Sequence, residues 1–275
     1  MLDRKISKKE IKQFQDMIWQ FYKLNKRVFD WRNIDDPYKV LVSEIMLQQT
    51  QTQRVEKKFA QFIEILPNFA KLAAAEFKDV LMVWQGLGYN RRAQALHKTA
   101  KIVIRDYDGV LPDCPETLQK FPGIGPYTAG SICAFAFNMP TVFVETNIRA
   151  VFIHEFFLEE EKVNDKLLMP LVEKTVDKYR PREWYYALMD YGVNLKKLYK
   201  NPSRKSAHYT KQSAFEGSDR QMRSMVLKFV LQKKQCAHDN ILLHINKDIK
   251  RVEKIIQDLV AENFLIKIDG RYTIV

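Results

Sequence analysis

The sequence predicts an all-α protein that ends in a small unit of helices and a β-hairpin. Apolar residues recur at helical spacing through most of the first 195 residues, whereas strand patterns are few there. The composition changes near residue 196, where a basic stretch begins. Amphipathic segments resume at residue 218 and close in two short strands around Asp269-Gly270. We therefore predict three regions, at residues 1–195, 196–217 and 218–275.

The composition is that of a folded, basic protein. Of the 275 residues, 46% are hydrophobic, which is enough to build a core and argues against disorder. The formal net charge of +12 favours a polyanionic partner such as nucleic acid. A basic protein without such a partner carries the same charge, so composition alone leaves both alternatives open.

The cysteines and the start of the chain indicate a cytoplasmic protein. Cys114, Cys133 and Cys236 are scattered and odd in number, which predicts reduced thiols and neither a disulfide framework nor a metal site. Residues 1–10 are charged and contain no apolar signal region. No apolar run is long enough to cross a membrane. We expect a cytoplasmic protein without a bound metal.

The first 195 residues divide into helices. Phe14, Ile18 and Tyr22 belong to one apolar stripe at helical spacing, and Pro37 begins a second helix. Further helices are predicted at about residues 53–65, 76–84, 89–107, 126–137, 146–157, 164–178 and 182–195. Strand signals are few here, so the sequence predicts an all-α domain.

The two later regions each have two interpretations. Residues 196–211 contain six basic residues and no acidic one, and form either an arm along a phosphate backbone, with Lys205 as one contact, or a solvated linker. Residues 218–275 read as three amphipathic helices followed by a hairpin, which together predict a winged helix. Such a unit can bind DNA, but it can also serve only for packing or dimerisation.

The most informative stretch is Phe121–Gly130, where two glycines predict a tight turn between helices. Pro126 suits the first position of the second helix, because its missing N–H would be unpaired there anyway. The N–H groups and dipole at that helix start favour a phosphate. The sequence thus predicts a helix–hairpin–helix that holds a nucleic-acid backbone. Its candidate contacts are Gly123, Gly125, Pro126, Tyr127 and Thr128.

Two carboxylates are candidates for chemistry. Glu44 shares a helix face with Gln48, and its apolar surroundings would desolvate it, raise its pKa and make it a usable general acid. Glu145 follows Gly130 by fifteen residues, and an acid near a docked backbone indicates chemistry on a sugar or base. The alternatives are a surface Glu44 with a helix partner and a Glu145 that only caps the next helix.

Two further motifs are suited to contact bases. Trp31 and Arg32 combine an aromatic face with a guanidinium, which can stack on a base and bind its edge, although such pairs also pack in ordinary cores. Gly86-Leu87-Gly88-Tyr89 is a glycine turn that could place Leu87 and Tyr89 as wedges between bases. A structural turn between helices is the alternative.

These motifs occur together in one family. Residues 28–195 resemble the helix-hairpin-helix DNA glycosylases and, within them, the MutY-type adenine glycosylases. The shared motifs, in the family's order and approximate spacing, are Asp30-Trp31-Arg32, Asp36-Pro37-Tyr38, Ser43–Gln51, Gly86–Tyr89, Pro122–Thr128 and Ala187–Asp190.

The resemblance implies excision of a base that is flipped out of the duplex, by hydrolysis of its N-glycosidic bond. Glu44 would protonate adenine, and Glu145 with Asn147 would act at the cationic sugar. The base pocket would be lined by Trp31, Arg32 and Asp190, and the opened duplex would be supported by Gln48, Leu87 and Tyr89. The substrate would be duplex DNA with a mispaired or damaged base. The protein would be a monomer associated with the nucleoid.

Tyr127 bears on the type of reaction. Bifunctional relatives, which also cut the strand, carry a lysine at this position that forms a Schiff base. A tyrosine cannot form one, so we expect a monofunctional enzyme that leaves an abasic site. Strand cleavage would then fall to a separate abasic-site endonuclease.

The chain departs from the family in three places. Glu145 stands where the family has an aspartate, and the region after Gly192 lacks the four cysteines of the iron–sulfur cluster, so no cofactor is expected. The C-terminal tail is shorter than the family's 8-oxoguanine-recognition domain. The expected substrate is adenine opposite 8-oxoguanine or guanine. The alternatives are thymine or uracil opposite guanine, and a non-catalytic DNA-binding protein on the same scaffold.

Overall fold

The computed structural model describes residues 6–32, 34–212 and 214–275. It divides into two compact units, one formed by Met1–Glu44 with Leu111–Lys211 and the other by Ile45–Val110 with Gln212–Val275. Each unit therefore joins two stretches that are distant in sequence. The three regions predicted from the sequence are defined by composition along the chain. Their division at residues 195 and 217 stays a prediction.

The predicted helical class is confirmed. In chain order the helices are α1 (Lys8–Asn25), α2 (Pro37–Leu47), α3 (Thr52–Ile65), α4 (Phe69–Ala74), α5 (Phe77–Trp84), α6 (Arg91–Asp106), α7 (Pro115–Leu118), α8 (Pro126–Phe137), α9 (Thr146–Phe156), α10 (Asp165–Thr175), α11 (Pro181–Leu198), α12 (Asp219–Lys233), α13 (His238–Ile245) and α14 (Ile249–Ala261). In the described part of the chain, no helix combines the length and the apolar character needed to span a bilayer.

The first unit is organised around α8, which is buried on almost every side. A helix that is apolar all round belongs in a core, and Thr128 to Ala136 are all buried. Gly130 faces the Phe143 side chain, and an added Cβ would lie 3.1 Å from Phe143 Cβ and 3.3 Å from its ring. Because α8 begins directly after the glycine hairpin, its first turn connects the hairpin to the core.

Helix α11 passes unusually close to the start of α9. A Cβ on Gly192 would lie 2.4 Å from the main-chain oxygen of Asn147 and 2.8 Å from its carbonyl carbon. Only a glycine permits this separation, since real Cβ atoms essentially never come within 3.0 Å of another heavy atom. Helix α11 also continues past the boundary predicted at residue 195 and ends at Leu198.

The basic stretch that follows α11 packs against the first unit. Pro202–Lys205 forms a 3₁₀ turn in which Pro202 and Ser203 are buried. The main chain of Val163 donates to the Lys205 carbonyl at 2.8 Å and accepts from Ala207 N–H at 2.7 Å. These bonds rule out the interpretation of this stretch as a contact-free solvated linker.

The C-terminal segment of the second unit has the element order of a winged helix. Strand β1 (Cys236–Ala237) lies between α12 and α13, and β2 (Leu265–Ile268) and β3 (Arg271–Ile274) follow α14. The strands form an antiparallel sheet in the order β1-β3-β2. Asp269 and Gly270 have φ of 48° and 77°, as a type I′ turn requires. The predicted hairpin is therefore confirmed, whereas the two-residue β1 was not predicted.

We expect Gly192→Ala to destabilise the protein, because its methyl group would collide with the main chain of Asn147. The free energy of unfolding should fall by about 3 kcal/mol, the upper end of ordinary overpacking costs. Thermal unfolding measures this. Gly125→Ala is the matched control, since nothing lies within 4 Å of its Cβ position and it should leave the midpoint unchanged. Equal midpoints for the two variants would contradict the close contact.

Candidate functional site

Glu44 is a buried carboxyl near the end of α2, with 8% of its surface exposed. Its Oε2 accepts a hydrogen bond of 2.5 Å from the Ser131 hydroxyl. Burial raises the pKa of Glu44 to about 7, with the Ser131 bond opposing the shift and the charge of Glu145 adding to it. The alternative of a surface glutamate is therefore wrong, and Glu44 exchanges its proton near neutral pH.

Ser131 is a site residue that the sequence interpretation missed. Its hydroxyl lies 2.5 Å from Glu44 Oε2 and 3.0 Å from the Thr128 carbonyl oxygen. A hydroxyl has one hydrogen, so it donates to an ionised Glu44 or, alternatively, accepts from a protonated Glu44 while donating to Thr128. Both protonation states of Glu44 thus have a hydrogen-bond partner. The available signal was the spacing, since Ser131 follows Tyr127 by one helical turn.

Glu145 is the N-cap of α9. Its Oε1 accepts from the N–H groups of Asn147 and Ile148 at 2.6 and 2.8 Å, and its Oε2 accepts from the Asn147 side chain at 3.1 Å. Burial raises the pKa of Glu145, while Lys196 and the two N–H bonds oppose the rise. The capping role considered from the sequence is therefore present, and it fixes the carboxylate within a set of donors.

Lys196 provides a cation for this carboxylate. Its Nζ donates to Asn147 Oδ1 at 2.8 Å, and its interaction with Glu145 counters the lowering of its pKa by burial. The sequence interpretation placed Lys196 in the basic stretch, whereas the structure places it on α11. Gly192 and Lys196 lie one helical turn apart, so the same face of α11 approaches Asn147 twice.

Tyr127 lies in the same electrostatic environment. The residue keeps 36% of its surface exposed, and its ring meets Phe143 edge-on at 5.7 Å. Desolvation of the phenol raises its pKa well above the ordinary value, and the charges of Glu44 and Glu145 add to the rise. The first turn of α8 thus presents a neutral phenol on which the charges of both carboxyl groups act.

The glycine hairpin has the predicted form with one difference. Gly123 has φ of 74°, a conformation that favours glycine, and α8 begins at Pro126. Gly125 has φ of −88° and open space around its Cβ position. The backbone conformation therefore favours glycine at Gly123 and not at Gly125. Gly123, Gly125 and Pro126 are exposed, as a backbone contact would need.

Arg32 and Asp190 form a buried ion pair. The Arg32 Nη atoms donate to Asp190 at 2.8 and 2.9 Å, and the guanidinium lies 5.0 Å from the Phe29 ring and 4.6 Å from the Tyr186 ring. Trp31 is buried and stacks on Phe29 at 4.8 Å. These contacts match the core-packing alternative. A part for these residues in a base pocket stays a prediction.

In the second unit, Arg92 connects the two motifs predicted to support an opened duplex. Its Nη1 donates to the carbonyls of Ile45, Met46 and Gln48, at 2.9, 2.8 and 2.5 Å. Its Nη2 donates to the carbonyls of Leu87 and Gly88, both at 3.2 Å. Burial lowers the pKa of Arg92 to about 10, so it stays charged at neutral pH.

The predicted wedge residues Leu87 and Tyr89 differ in exposure. Leu87 is 2% exposed and faces the core, so it does not project as a wedge in this structure. Tyr89 is half-buried with φ of 47°, and the preceding Gly88 has φ of 70°. These conformations explain why α6 begins at Arg91 rather than at the predicted residue 89.

The residues present do not fit an iron–sulfur cluster. Four thiolates are needed, and of the three cysteines Cys114 and Cys133 belong to the first unit and Cys236 to the second. Where residues are described, no three or more His, Cys, Asp or Glu side chains come together to hold a metal.

Lys205, a predicted contact to the DNA backbone, donates from Nζ to the Leu158 carbonyl.

Known proteins resemble most of this chain. Relatives include adenine DNA glycosylases of Buchnera aphidicola subsp. Baizongia pistaciae, 34% identical over 66% of this chain and 52% of the relative, and of Schizosaccharomyces pombe, 33% identical over 67% and 45%. The chain thus spans about half the length of the curated relatives it matches.

The fold and a family profile agree with these relatives. The structure of a thermostable thymine-DNA glycosylase superposes with a TM-score of 0.63 at 30% identity, covering 67% of this chain and 87% of that one. An endonuclease III–DNA complex at 18% identity shares the fold, with a TM-score of 0.58 over 67% and 85%. Residues 42–176 match the HhH-GPD superfamily base excision DNA repair protein profile. This chain therefore belongs to the HhH-GPD superfamily of base excision DNA repair proteins.

Proposed function

We propose that the chain is a monofunctional DNA glycosylase that removes adenine opposite 8-oxoguanine or guanine. One observation carries the proposal: Glu44 is a buried carboxyl with a pKa of about 7, and the charge of a second carboxylate, Glu145, acts on it. Carboxyl groups in unlike environments take opposite roles, one as an acid and one as an anion. Hydrolysis of an N-glycosidic bond requires both roles.

Glu44 is the proposed proton donor. Its pKa of about 7 lets Glu44 hold a proton near neutral pH. Transfer of this proton to a ring nitrogen of the extruded base makes the base a neutral leaving group. Ser131 then donates its hydrogen to the Glu44 carboxylate that results, which keeps the new charge hydrogen-bonded.

Glu145 is the proposed anion that faces the cationic sugar. Two main-chain N–H groups, Asn147 and the ammonium of Lys196 favour its ionised form, against the cost of burial. Its side chain is one methylene longer than an aspartate, and the capping contacts draw its carboxylate back to the start of α9. Those contacts hold the longer side chain in one place, as electrostatic stabilisation requires.

The remaining features of the proposal concern the product and the partners. Tyr127 offers no amine, so the product is an abasic site that a separate endonuclease processes. Duplex DNA is the proposed substrate, and the hairpin at Gly123–Pro126 contacts its backbone. The enzyme works as a monomer in the nucleoid and needs no iron–sulfur cluster. A second candidate substrate is thymine or uracil opposite guanine, favoured by the likeness to a thermostable thymine-DNA glycosylase.

Labelled duplexes with adenine opposite 8-oxoguanine, adenine opposite guanine, thymine opposite guanine and uracil opposite guanine test the proposal. We expect strand breaks in the adenine duplexes only after alkali, and no borohydride-trapped complex, because Tyr127 cannot form a Schiff base. Breaks in the thymine or uracil duplex alone would replace adenine as the substrate. Breaks without alkali would contradict a monofunctional reaction, and binding without any breaks would favour the non-catalytic alternative.

Glu44→Gln should reduce single-turnover base release by at least about a hundredfold, because it removes the proton donor. Affinity for the duplex should stay within about twofold, since Glu44 carries no positive charge for a phosphate. Glu145→Gln should also abolish release by removing the anion. Gel-shift and alkali-cleavage assays on the same preparations separate the two quantities. Unchanged release by Glu44→Gln would exclude its role as the acid.

Ser131→Ala should move the pH dependence of base release to higher pH. The Ser131 bond lowers the pKa of Glu44, so its loss lets that pKa rise further above 7. The acid form then persists to higher pH, and the alkaline fall in rate should shift upward by about one pH unit. Ser43→Ala is the control, because it removes a buried hydroxyl next to Glu44 in sequence that donates to the Val40 carbonyl of its own helix. A shift downward, or equal shifts, would refute the role.

A further inference from the structure

Helix α14 of the C-terminal segment has one side that the proposed chemistry does not use. Its inner side is buried through Val252, Ile255, Ile256 and Leu259. On the opposite side, exposed residues recur at helical spacing and so share one face. The packing of the segment leaves this face to a partner. The residues of the face, here called the α14 stripe, are Lys250, Lys254, Gln257 and Ala261.

The α14 stripe is cationic, since it contains two lysines and no acidic residue. Among the residues that the structure describes, neither Lys250 nor Lys254 forms an ion pair, and the same holds for the exposed Lys247 in the turn before the helix. Asp258 follows Lys254 by one turn without pairing with it, and its charge acts on Arg91. The three ammonium groups therefore favour an anionic partner.

The other acids around α14 have partners within the segment. Asp248 is the N-cap of the helix and accepts from the Arg251 main-chain N–H at 2.8 Å. Asp219 pairs with the Arg251 guanidinium at 2.6 Å, and Glu253 lies 3.7 Å from His238. These contacts engage three carboxylates away from the stripe. The lysines of the stripe therefore have no counter-charge that an incoming anion would first have to displace.

The order of elements makes α14 the second helix of a helix-turn-helix. Helix α13 ends in the left-handed Asn246, whose φ is 46°, and α14 begins three residues later at Ile249. In a helix-turn-helix the second helix lies in the major groove of DNA, with the residues of its first turns at the bases. Lys250 lies in the first turn, and Ala261 follows about 16 Å further along the axis. The α14 stripe thus extends along the side that would enter the groove.

The chemistry of the stripe favours duplex DNA over a protein or an RNA. The centre of a protein interface is enriched in aromatic residues and depleted in lysine, whereas the stripe has lysines and no aromatic residue. The major groove of B-DNA is about 12 Å wide and admits a helix, while that of A-form RNA is too narrow. Gln257 carries an amide, which can pair with the N6 and N7 atoms of adenine.

We propose that α14 binds duplex DNA in the major groove, with Lys250 and Lys254 at phosphates and Gln257 at base edges, as a second DNA site of this chain. The inference goes beyond the proposed function, because it concerns DNA without a mispair and requires no release of a base. It assigns the winged helix to DNA binding rather than to packing or dimerisation alone.

Salt-dependent binding of the full chain to a fully paired duplex tests the proposal. Fluorescence anisotropy gives the slope of log affinity against log salt concentration. Each lost phosphate contact reduces that slope by about 0.9, so Lys250→Gln/Lys254→Gln should reduce it by about 1.8 and weaken binding. Lys233→Gln/Lys234→Gln is the matched control, because it removes two exposed lysines at the end of α12, outside the stripe, and should keep the slope of the unchanged chain.

Double-stranded RNA of the same sequence separates groove binding from general attraction to phosphates. The loss caused by Lys250→Gln/Lys254→Gln should be confined to DNA, because side chains do not reach into the major groove of A-form RNA. An equal loss on RNA, or an equal loss by the control, would overturn the proposal. Unchanged binding to DNA would overturn it as well and leave the stripe to a protein partner.

Gln257→Glu provides a second test that keeps both lysines. It places a carboxylate where the proposal has base edges and phosphates nearby, so binding to the duplex should weaken while the helix keeps a good helix-forming residue. This variant decides the matter if thermal unfolding shows the double variant to be unstable. Unchanged affinity of Gln257→Glu for the duplex would contradict insertion of this face into the groove.

Discussion

The close approach of α11 to the start of α9 is the constraint on which the candidate site depends. Gly192 lets the main chain of Asn147 come nearer than any side chain would permit. That separation places Lys196 against Asn147, and Asn147 in turn against the Glu145 carboxylate. The position of the cation beside this anion therefore depends on the absence of a single methyl group. The capping bonds of Glu145 would exist in an isolated helix, but its counter-charge would not.

The site separates two carboxyl groups by environment rather than by residue type. Glu44 has one hydrogen-bond donor and little solvent, which favours its neutral form. Glu145 is half-buried, and its helix N-terminus and a lysine favour its charged form against desolvation. Burial thus raises the pKa of both carboxyl groups, and more contacts oppose that rise at Glu145 than at Glu44. Tyr127 senses both groups and stays neutral across the physiological range.

The sequence predicted what depends on local patterns. The start of α8 at Pro126, the Asp269-Gly270 turn and the desolvated Glu44 follow from residue types at short spacing, and the structure has all three. It did not predict Ser131 or Lys196, because their roles arise from neighbours 87 and 49 residues away in sequence. The pairing of Arg32 with Asp190 across 158 residues is of the same kind. No pattern within one helix reports such contacts.

Arg92 couples the backbones of the turn at Gln48 and the turn at Gly88. Its guanidinium donates to the Gln48 carbonyl in one turn and to the Leu87 and Gly88 carbonyls in the other. If either turn changed its backbone path, the guanidinium would keep its charge and lose part of its acceptors, at a cost that rises with burial. Insertions or deletions in one turn are then tolerated only with matching changes in the other. The side chains of these turns can change independently, whereas their backbone conformations are coupled and must be conserved together.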